Sequence, residues 1–134
     1  MNMEQNIIAS VDFKASFGFL KKNDINDSIC LTYNCLHKPA LLGIFGAILG
    51  LGGHYQAFIN NQKKPEYLEK LENIKVGIEP LNSFNGNFKK TIIKYNNSVG
   101  YANKVEGGNL IISEQTLIKP QYRVYFILNN EYSD

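Results

Sequence analysis

The chain has 134 residues, of which 44% are hydrophobic and 19% are charged, and these values exclude wholesale disorder while allowing one domain with a modest core. Fourteen basic and twelve acidic residues leave a net charge of only +2, so the overall charge does not by itself indicate a nucleic-acid partner. Any basic surface must therefore be local.

Cysteine usage favours a cytoplasmic protein with reduced thiols, because no secretory leader precedes the first strand. Cys30, Cys35 and His37 lie in one short stretch, but no second pair of ligands follows them. Structural zinc sites take four ligands, usually as two separated pairs. The sequence therefore predicts neither a metal nor any other cofactor.

The first half of the chain predicts a strand followed by a buried helix. Residues 7–13 alternate apolar and polar side chains, which is typical of a half-buried strand. Residues 17–28 form a polar connection. Pro39 then suits the first turn of a helix that runs to about Leu51, where glycines end it. At roughly 22 Å this helix is too short to cross a membrane.

Glycines within this helix suggest close packing. Gly43, Ala47 and Gly50 fall along one stripe, which would let the backbone approach a sheet closely, and Gly43 and Gly46 are expected to serve close packing. The segment contains no charged residue between Pro39 and Gly53. We therefore expect it to form the centre of the hydrophobic core.

The second half predicts mainly strands. Residues 65–72 indicate a short surface helix and residues 74–79 a second strand. The Asn85-Gly86 dipeptide is a strong hairpin signal before residues 88–95. Residues 96–109 are expected to form a mobile loop. Ser113 is expected to cap a single helical turn before Pro120, and residues 122–128 are expected to form the last strand.

This order of elements predicts an α+β fold. A strand, a crossover helix and further strands are typical of the start of a ferredoxin-like βαββαβ domain. The chain ends before a second helix and a fourth strand. We therefore expect a single domain over residues 1–134 that is incomplete at its C-terminus, with an open strand edge and reduced stability.

Three groups of residues, in this order, resemble a known family. They are Asp12-Phe13 with Phe17, Thr32-Tyr33-Asn34 followed by the helix of residues 39–50, and the run LIKPQYRVY at residues 117–125. Together they resemble the N-terminal half of the CRISPR-associated Cas-five family, most closely its type I-B branch. The resemblance covers nearly the whole chain, although typical members are longer. Three explanations for the shorter length stay open. The chain is a gene fragment, an isolated N-terminal half or a split protein completed by a partner.

The resemblance implies an RRM-like RAMP domain with a β-hairpin thumb at about residues 83–118. Members hold the 5′ handle of the CRISPR RNA at one end of the type I surveillance complex, Cascade, where they contact the large subunit and the backbone subunits. It therefore implies a non-catalytic RNA-binding subunit in antiviral defence, with no membrane association.

Candidate RNA contacts follow from general chemistry. Single-stranded RNA is held by lysines that neutralise phosphates, by backbone N–H groups in glycine turns and by aromatic rings that stack on bases. The candidate residues are Lys14, Lys21, Lys22, Tyr33, His37, Lys38, Gly52, Gly53, Lys89, Lys90 and Lys94. The simpler interpretation, that these lysines only keep the surface soluble, stays open.

Two alternatives to RNA holding remain. A metal-independent endoribonuclease could use histidines as general acid and base. His37 and His54, however, flank a helix of roughly 20 Å, so we do not expect them to reach one phosphate together, and we predict no catalytic residues. The other alternative is a truncated fragment that only takes part in protein interactions.

Overall fold

The computed structural model describes residues 6–23, 28–97, 104, 106 and 110–128. Within these residues it contains three helices and two antiparallel sheets of three strands each, which confirms an α+β architecture. The elements are β1 (Ile7–Lys14), β2 (Phe17–Gly18), α1 (Lys38–Ile48), α2 (His54–Ile59), α3 (Glu66–Leu71), β3 (Val76–Pro80), β4 (Lys90–Asn96), β5 (Ile111–Ile118) and β6 (Gln121–Leu128).

The chain divides into two compact units, each built from separated segments. The first unit comprises Met1–Phe13, Leu36–Glu79 and Tyr122–Asp134, and the second comprises Lys14–Cys35 and Pro80–Gln121. The three helices and the sheet with strand order β1-β6-β3 belong to the first unit, and the sheet with order β2-β5-β4 belongs to the second. The range predicted for the thumb, residues 83–118, lies inside the second unit.

The core of the first unit forms between α1 and its sheet. The Phe45 ring of α1 packs against Phe13 of β1 and Phe126 of β6, with ring centroids 6.2 Å and 5.4 Å away. Strand β6 buries Tyr122 and Val124 on this face, as the alternation in the sequence predicted. The predicted strands at both ends of the chain are therefore confirmed.

Helix α1 ends as the glycine pattern predicted. Gly50 has a φ of +70°, which an L side chain rarely adopts, and the Leu51 N–H donates to the carbonyl of Gly46 at 2.8 Å. This bond closes the last turn in the manner of a Schellman motif. The helical residues are Lys38–Ile48, slightly fewer than predicted.

The prediction of a packed glycine stripe on α1 is wrong. A Cβ at Gly43 or at Gly50 would meet no atom within 4 Å, and Ala47 is exposed. Close packing is confirmed at Gly46, where a Cβ would overlap the side chain of Tyr67. The absence of a side chain at Gly46 therefore lets α1 pack closely against the segment that carries α3. It does not bring α1 closer to the sheet.

An apolar cleft lies beside α1 in the first unit. Its volume is about 780 Å³, and its walls include Val11 and Phe13 of β1, Phe126 and Leu128 of β6, and Ile48 at the end of α1. Ile48 is mostly exposed. Part of the apolar face of this sheet thus stays open beside α1.

The sheet of the second unit is centred on β5. Strand β5 pairs with β4 over seven residues, from Lys90 opposite Leu117 to Asn96 opposite Ile111, and with β2 through Ile118 and Leu117. Leu117 and Thr116 are buried, as is Phe88 just before β4. Strand β4 forms an edge of this sheet, and each of its residues is exposed.

One local prediction is wrong, and one helix was missed. Ser113 does not cap a helical turn but lies within β5, where its carbonyl accepts the Cys30 N–H at 2.8 Å. The isoleucines and threonine around it favour a strand once a partner is present. Helix α2, at His54–Ile59, was not predicted because it lies directly after the glycines that end α1.

The hairpin signal at Asn85-Gly86 is confirmed as a turn. Both residues have positive φ, 50° and 79°, and Phe84 and Asn87 exchange two backbone hydrogen bonds of 3.0 Å and 2.9 Å across them. This turn closes a single bridge, and β4 pairs with β5 rather than with a strand before the turn. The loop predicted at residues 96–109 lies mostly outside the described residues.

Candidate nucleic-acid interface

Charge is distributed unevenly between the two units. The second unit contains eight lysines and four acidic residues, a net charge of +4, whereas the first contains six basic and eight acidic residues, a net charge of −2. The small net charge of +2 for the whole chain therefore conceals a basic part, which is the local property that nucleic-acid binding requires.

Lys22 and Tyr33 form the best-defined pair of candidate groups in the second unit. The Lys22 ammonium lies 5.4 Å from the centroid of the Tyr33 ring, within the range of a cation–π contact. The Tyr33 residue is 40% exposed. An aromatic ring beside a cation is the combination that holds a nucleotide, because the base stacks while the charge attracts a phosphate.

The backbone around this pair is fixed by a short antiparallel contact. The Lys22 N–H donates to the Leu31 carbonyl at 2.9 Å, and the Tyr33 N–H donates to the Leu20 carbonyl at 2.8 Å. The buried hydroxyl of Thr32 accepts a further hydrogen bond from the Leu20 N–H at 2.8 Å. Lys21 pairs with Thr32 across this contact, so the backbone of Lys21 lies directly opposite the residue that precedes Tyr33.

Asn34 connects this contact to the start of β4, and sequence reasoning did not assign it a role. Its amide donates to the Gly86 carbonyl at 2.7 Å, and its Oδ1 accepts from the Phe88 N–H at 3.0 Å and from the Lys90 ammonium at 3.3 Å. The three partners lie more than 50 residues away in the chain. No local pattern could have revealed these bonds.

The remaining lysines of the second unit lie at strand ends and along β4. Lys14 is exposed at the end of β1, and Lys89 precedes β4. Lys90 and Lys94 are four residues apart in an extended strand and so share one face. The structure thus places seven candidate residues in one compact unit, namely Lys14, Lys21, Lys22, Tyr33, Lys89, Lys90 and Lys94.

The other four candidates lie in the first unit, and each of them makes intramolecular hydrogen bonds. The Lys38 ammonium donates to the Glu72 carbonyl at 2.8 Å, just after α3. The Gly52 N–H donates to the Glu66 carboxylate at 2.8 Å, and the Gly53 N–H donates to the Gln56 side chain at 3.0 Å. A phosphate at Gly52 would therefore have to displace a carboxylate. His37 is the N-cap residue of α1.

Neither histidine lies in the second unit, where the candidate lysines gather. His54 begins α2, and its Nε2 atom lies 3.2 Å from the hydroxyl of Tyr67. Cys30 and Cys35 form no disulfide, and burial raises the pKa of the Cys35 thiol. A thiol with a raised pKa is a poorer nucleophile near neutral pH, because less of it is ionised.

Within the described part of the chain, no three His, Cys, Asp or Glu side chains are grouped so that they could hold a metal ion. The same residues include no helix long and apolar enough to cross a membrane.

No protein-family model matches the sequence, and no curated protein is significantly similar to it. The resemblance to the Cas-five family therefore stays a prediction, and any function has to be inferred from the geometry and charge described above.

Proposed function

We propose that the chain is a non-catalytic RNA-binding subunit of a type I-B CRISPR surveillance complex, where it holds the 5′ handle of the CRISPR RNA. One observation carries the proposal: the second unit combines a net charge of +4 with an exposed tyrosine beside a lysine. Single-stranded RNA is bound by this combination of positive charge and aromatic stacking.

The fold of the first unit supports the proposal. Its strand order β1-β6-β3, with α1 between β1 and β3 in the chain, matches three of the four strands of a ferredoxin-like βαββαβ sheet. The paired strands β4 and β5 fall within residues 83–118, the range implied for a thumb. In this interpretation the first unit is the RRM-like body, and it contacts the large subunit and the backbone subunits.

The mechanism is placement without chemistry. Lys21 and Lys22 neutralise phosphates, and the Tyr33 ring stacks on a base. Three further lysines hold the phosphate backbone of the same RNA molecule: Lys89, Lys90 and Lys94. Gly52 and Gly53 are not part of the proposed RNA site, because their N–H groups already donate hydrogen bonds to Glu66 and Gln56. RNA is thus held through charge and stacking, and no bond in it is broken.

Binding to a fluorescein-labelled single-stranded RNA of about twelve nucleotides tests the proposal. Lys22→Glu should weaken binding at least tenfold. It should also reduce the slope of log affinity against log salt by about 0.7 for each phosphate that the protein no longer neutralises. Lys63→Glu, an exposed change of the same charge in the first unit, is the matched control and should leave the affinity nearly unchanged.

Other outcomes would redirect the assignment. Equal losses of RNA affinity in both variants would show that only the total charge of the protein matters, and this result would contradict a binding site at Lys22 and Tyr33. Site-specific cleavage of repeat RNA that His37→Ala or His54→Ala abolishes would favour the endoribonuclease. Retention of the other complex subunits without any RNA binding would favour an interaction role alone.

A further inference from the structure

Strand β4 has backbone groups along its outer edge that pair with no other described strand. The Ile118 N–H donates to the Lys89 carbonyl at 2.8 Å, and the Asn97 N–H donates to the Leu110 carbonyl at 2.8 Å. In an antiparallel pair the bonded positions alternate, so odd-numbered residues of β4 turn their N–H and C=O groups toward β5. The backbone groups of Lys90, Ile92 and Lys94 therefore point away from it.

The outer edge of β4 is exposed along the whole strand. Among the described residues, β5 is the only strand that pairs with β4, and all seven residues of β4 are exposed. An exposed strand edge of this kind can accept one more strand, which adds main-chain hydrogen bonds to the sheet. The sheet of the second unit can thus be extended by an outside chain.

The side chains on this edge specify the chemistry of the added strand. Lys90, Ile92 and Lys94 occupy alternate positions and so lie on one face of β4. Ile92 is 52% exposed between the two lysines. Residues directly opposite in an antiparallel pair contact each other, and opposite charges there stabilise the pairing. The complementary strand has an acidic, an apolar and an acidic residue at alternate positions.

The same side chains disfavour a second copy of this chain as the occupant. Antiparallel self-pairing about Ile92 places Lys90 directly opposite Lys94 of the other copy. Self-pairing about Ile93 places the two copies of Lys94 on the diagonal. Like charges at these positions are destabilising, and lysines on an edge strand are a common protection against self-association.

We infer that the outer edge of β4 is a docking site for an extended acidic segment of a protein partner, which adds to the sheet as a strand antiparallel to β4. The inference does not depend on RNA binding. The backbone groups of Lys90, Ile92 and Lys94 supply the hydrogen bonds, and the two ammonium groups select the acidic residues.

A synthetic peptide tests the inference on the full chain. The probe is a capped peptide of sequence Thr-Glu-Thr-Val-Thr-Glu-Thr, and the control peptide has lysine in place of both glutamates. Binding of the acidic peptide should slow hydrogen exchange at the amides of Ile92 and Lys94, which face outward. The amides of Ile93 and Tyr95 already face β5, so their exchange should change far less. Absence of this alternation would overturn the inference.

Two variants separate the backbone contribution from the charge contribution. Ile92→Pro removes an N–H that faces away from β5, a position where an edge strand tolerates proline, so the fold should persist while peptide binding is abolished. Ile92→Thr keeps the N–H but loses part of the apolar contact, so its affinity should lie between those of the wild type and Ile92→Pro. Replacing Lys90 and Lys94 by glutamate should lower affinity for the acidic peptide about fivefold and should favour the lysine peptide instead.

Each remaining outcome decides against the proposed occupant. A dimer of the chain alone that Ile92→Pro dissociates would identify a second copy at this edge. Single-stranded RNA that slows exchange at the amides of Ile92 and Lys94 as strongly as the peptide does would assign this edge to nucleic acid, whereas competition between RNA and the peptide is expected because both use the ammonium groups of Lys90 and Lys94. If Ile92→Pro prevents folding, the glutamate variant decides alone, and equal affinity for both peptides would overturn the inference.

Discussion

The two units contain similar sheets but differ in what covers them. In the first unit the Phe45 ring of α1 packs against Phe13 and Phe126 of the sheet, and α3 adds a second contact around Leu42, Leu71 and Ile74. None of the three helices belongs to the described part of the second unit, and two threonines are among its buried residues. The first unit is acidic overall and the second is basic.

This difference indicates a division of labour. Burial of apolar surface is the main source of folding free energy, and most of the large apolar contacts described above lie in the first unit. Strand β4 instead exposes all its side chains, including three aliphatic or aromatic ones, at Ile92, Ile93 and Tyr95. The first unit thus holds most of the described apolar packing, and the second exposes the groups that we propose to bind ligands.

Removal of core volume in the first unit should have the largest effect on stability. Leu41 is fully buried, and Leu41→Ala should lower the free energy of unfolding by about 3 kcal/mol because it leaves a cavity. Urea unfolding followed by circular dichroism measures this change. RNA affinity should stay unchanged at temperatures where the variant is folded, because the proposed RNA contacts lie in the other unit.

Leu49→Ala is the matched control for this substitution. Leu49 lies directly after α1 and is 63% exposed, so the same truncation should cost well under about 1 kcal/mol. An equal loss of stability in the two variants would show that stability does not come from the buried face of α1. The proposed division between the units would then fail.

Loss of Asn34 should have a smaller effect on stability but a direct effect on binding. Asn34→Ala removes the bonds to Gly86, Phe88 and Lys90 and should cost about 1–2 kcal/mol. RNA affinity should fall as well, because Lys90 loses its anchor near Tyr33. Asn34→Asp keeps the accepting oxygen and should give an intermediate result. Unchanged RNA affinity in Asn34→Ala, measured by fluorescence anisotropy, would contradict this role.

Local sequence signals identified the elements that depend on neighbours in the chain. The alternation in β1 and β6, the proline and glycines around α1, and the Asn85-Gly86 turn are each decided within a few residues, and each is confirmed. The strand at Ser113 was missed because its pairing with Cys30 and with β4 joins residues distant in the chain. Such partners decide between strand and turn, and no local pattern shows them.

The candidate site was predictable in composition but not in arrangement. Aromatic and basic residue types near Tyr33 and in the thumb range were visible in the sequence. The segregation of charge was not, because the second unit is assembled from two segments separated by 44 residues of the first unit. The hydrogen bond of Gly52 was also hidden, since Glu66 comes from α3, whereas the bond from Gly53 to Gln56 spans only three residues.

Acidification should cause the smallest change in stability, and this change should arise in the first unit. The Lys70 ammonium, 2.8 Å from Glu66, and then the Gly52 N–H hold the pKa of Glu66 below its ordinary value of 4.5. A lowered pKa in the folded state stabilises the fold above pH 4.5, and this contribution is lost as the pH falls through the lowered pKa. The melting temperature of the wild type should therefore exceed that of Glu66→Gln near neutral pH, and the two should converge in acid. Lys70→Gln removes the main cause and should reduce the pH dependence, whereas a gap between wild type and Glu66→Gln that stays constant with pH would show that the carboxylate contributes nothing through its charge.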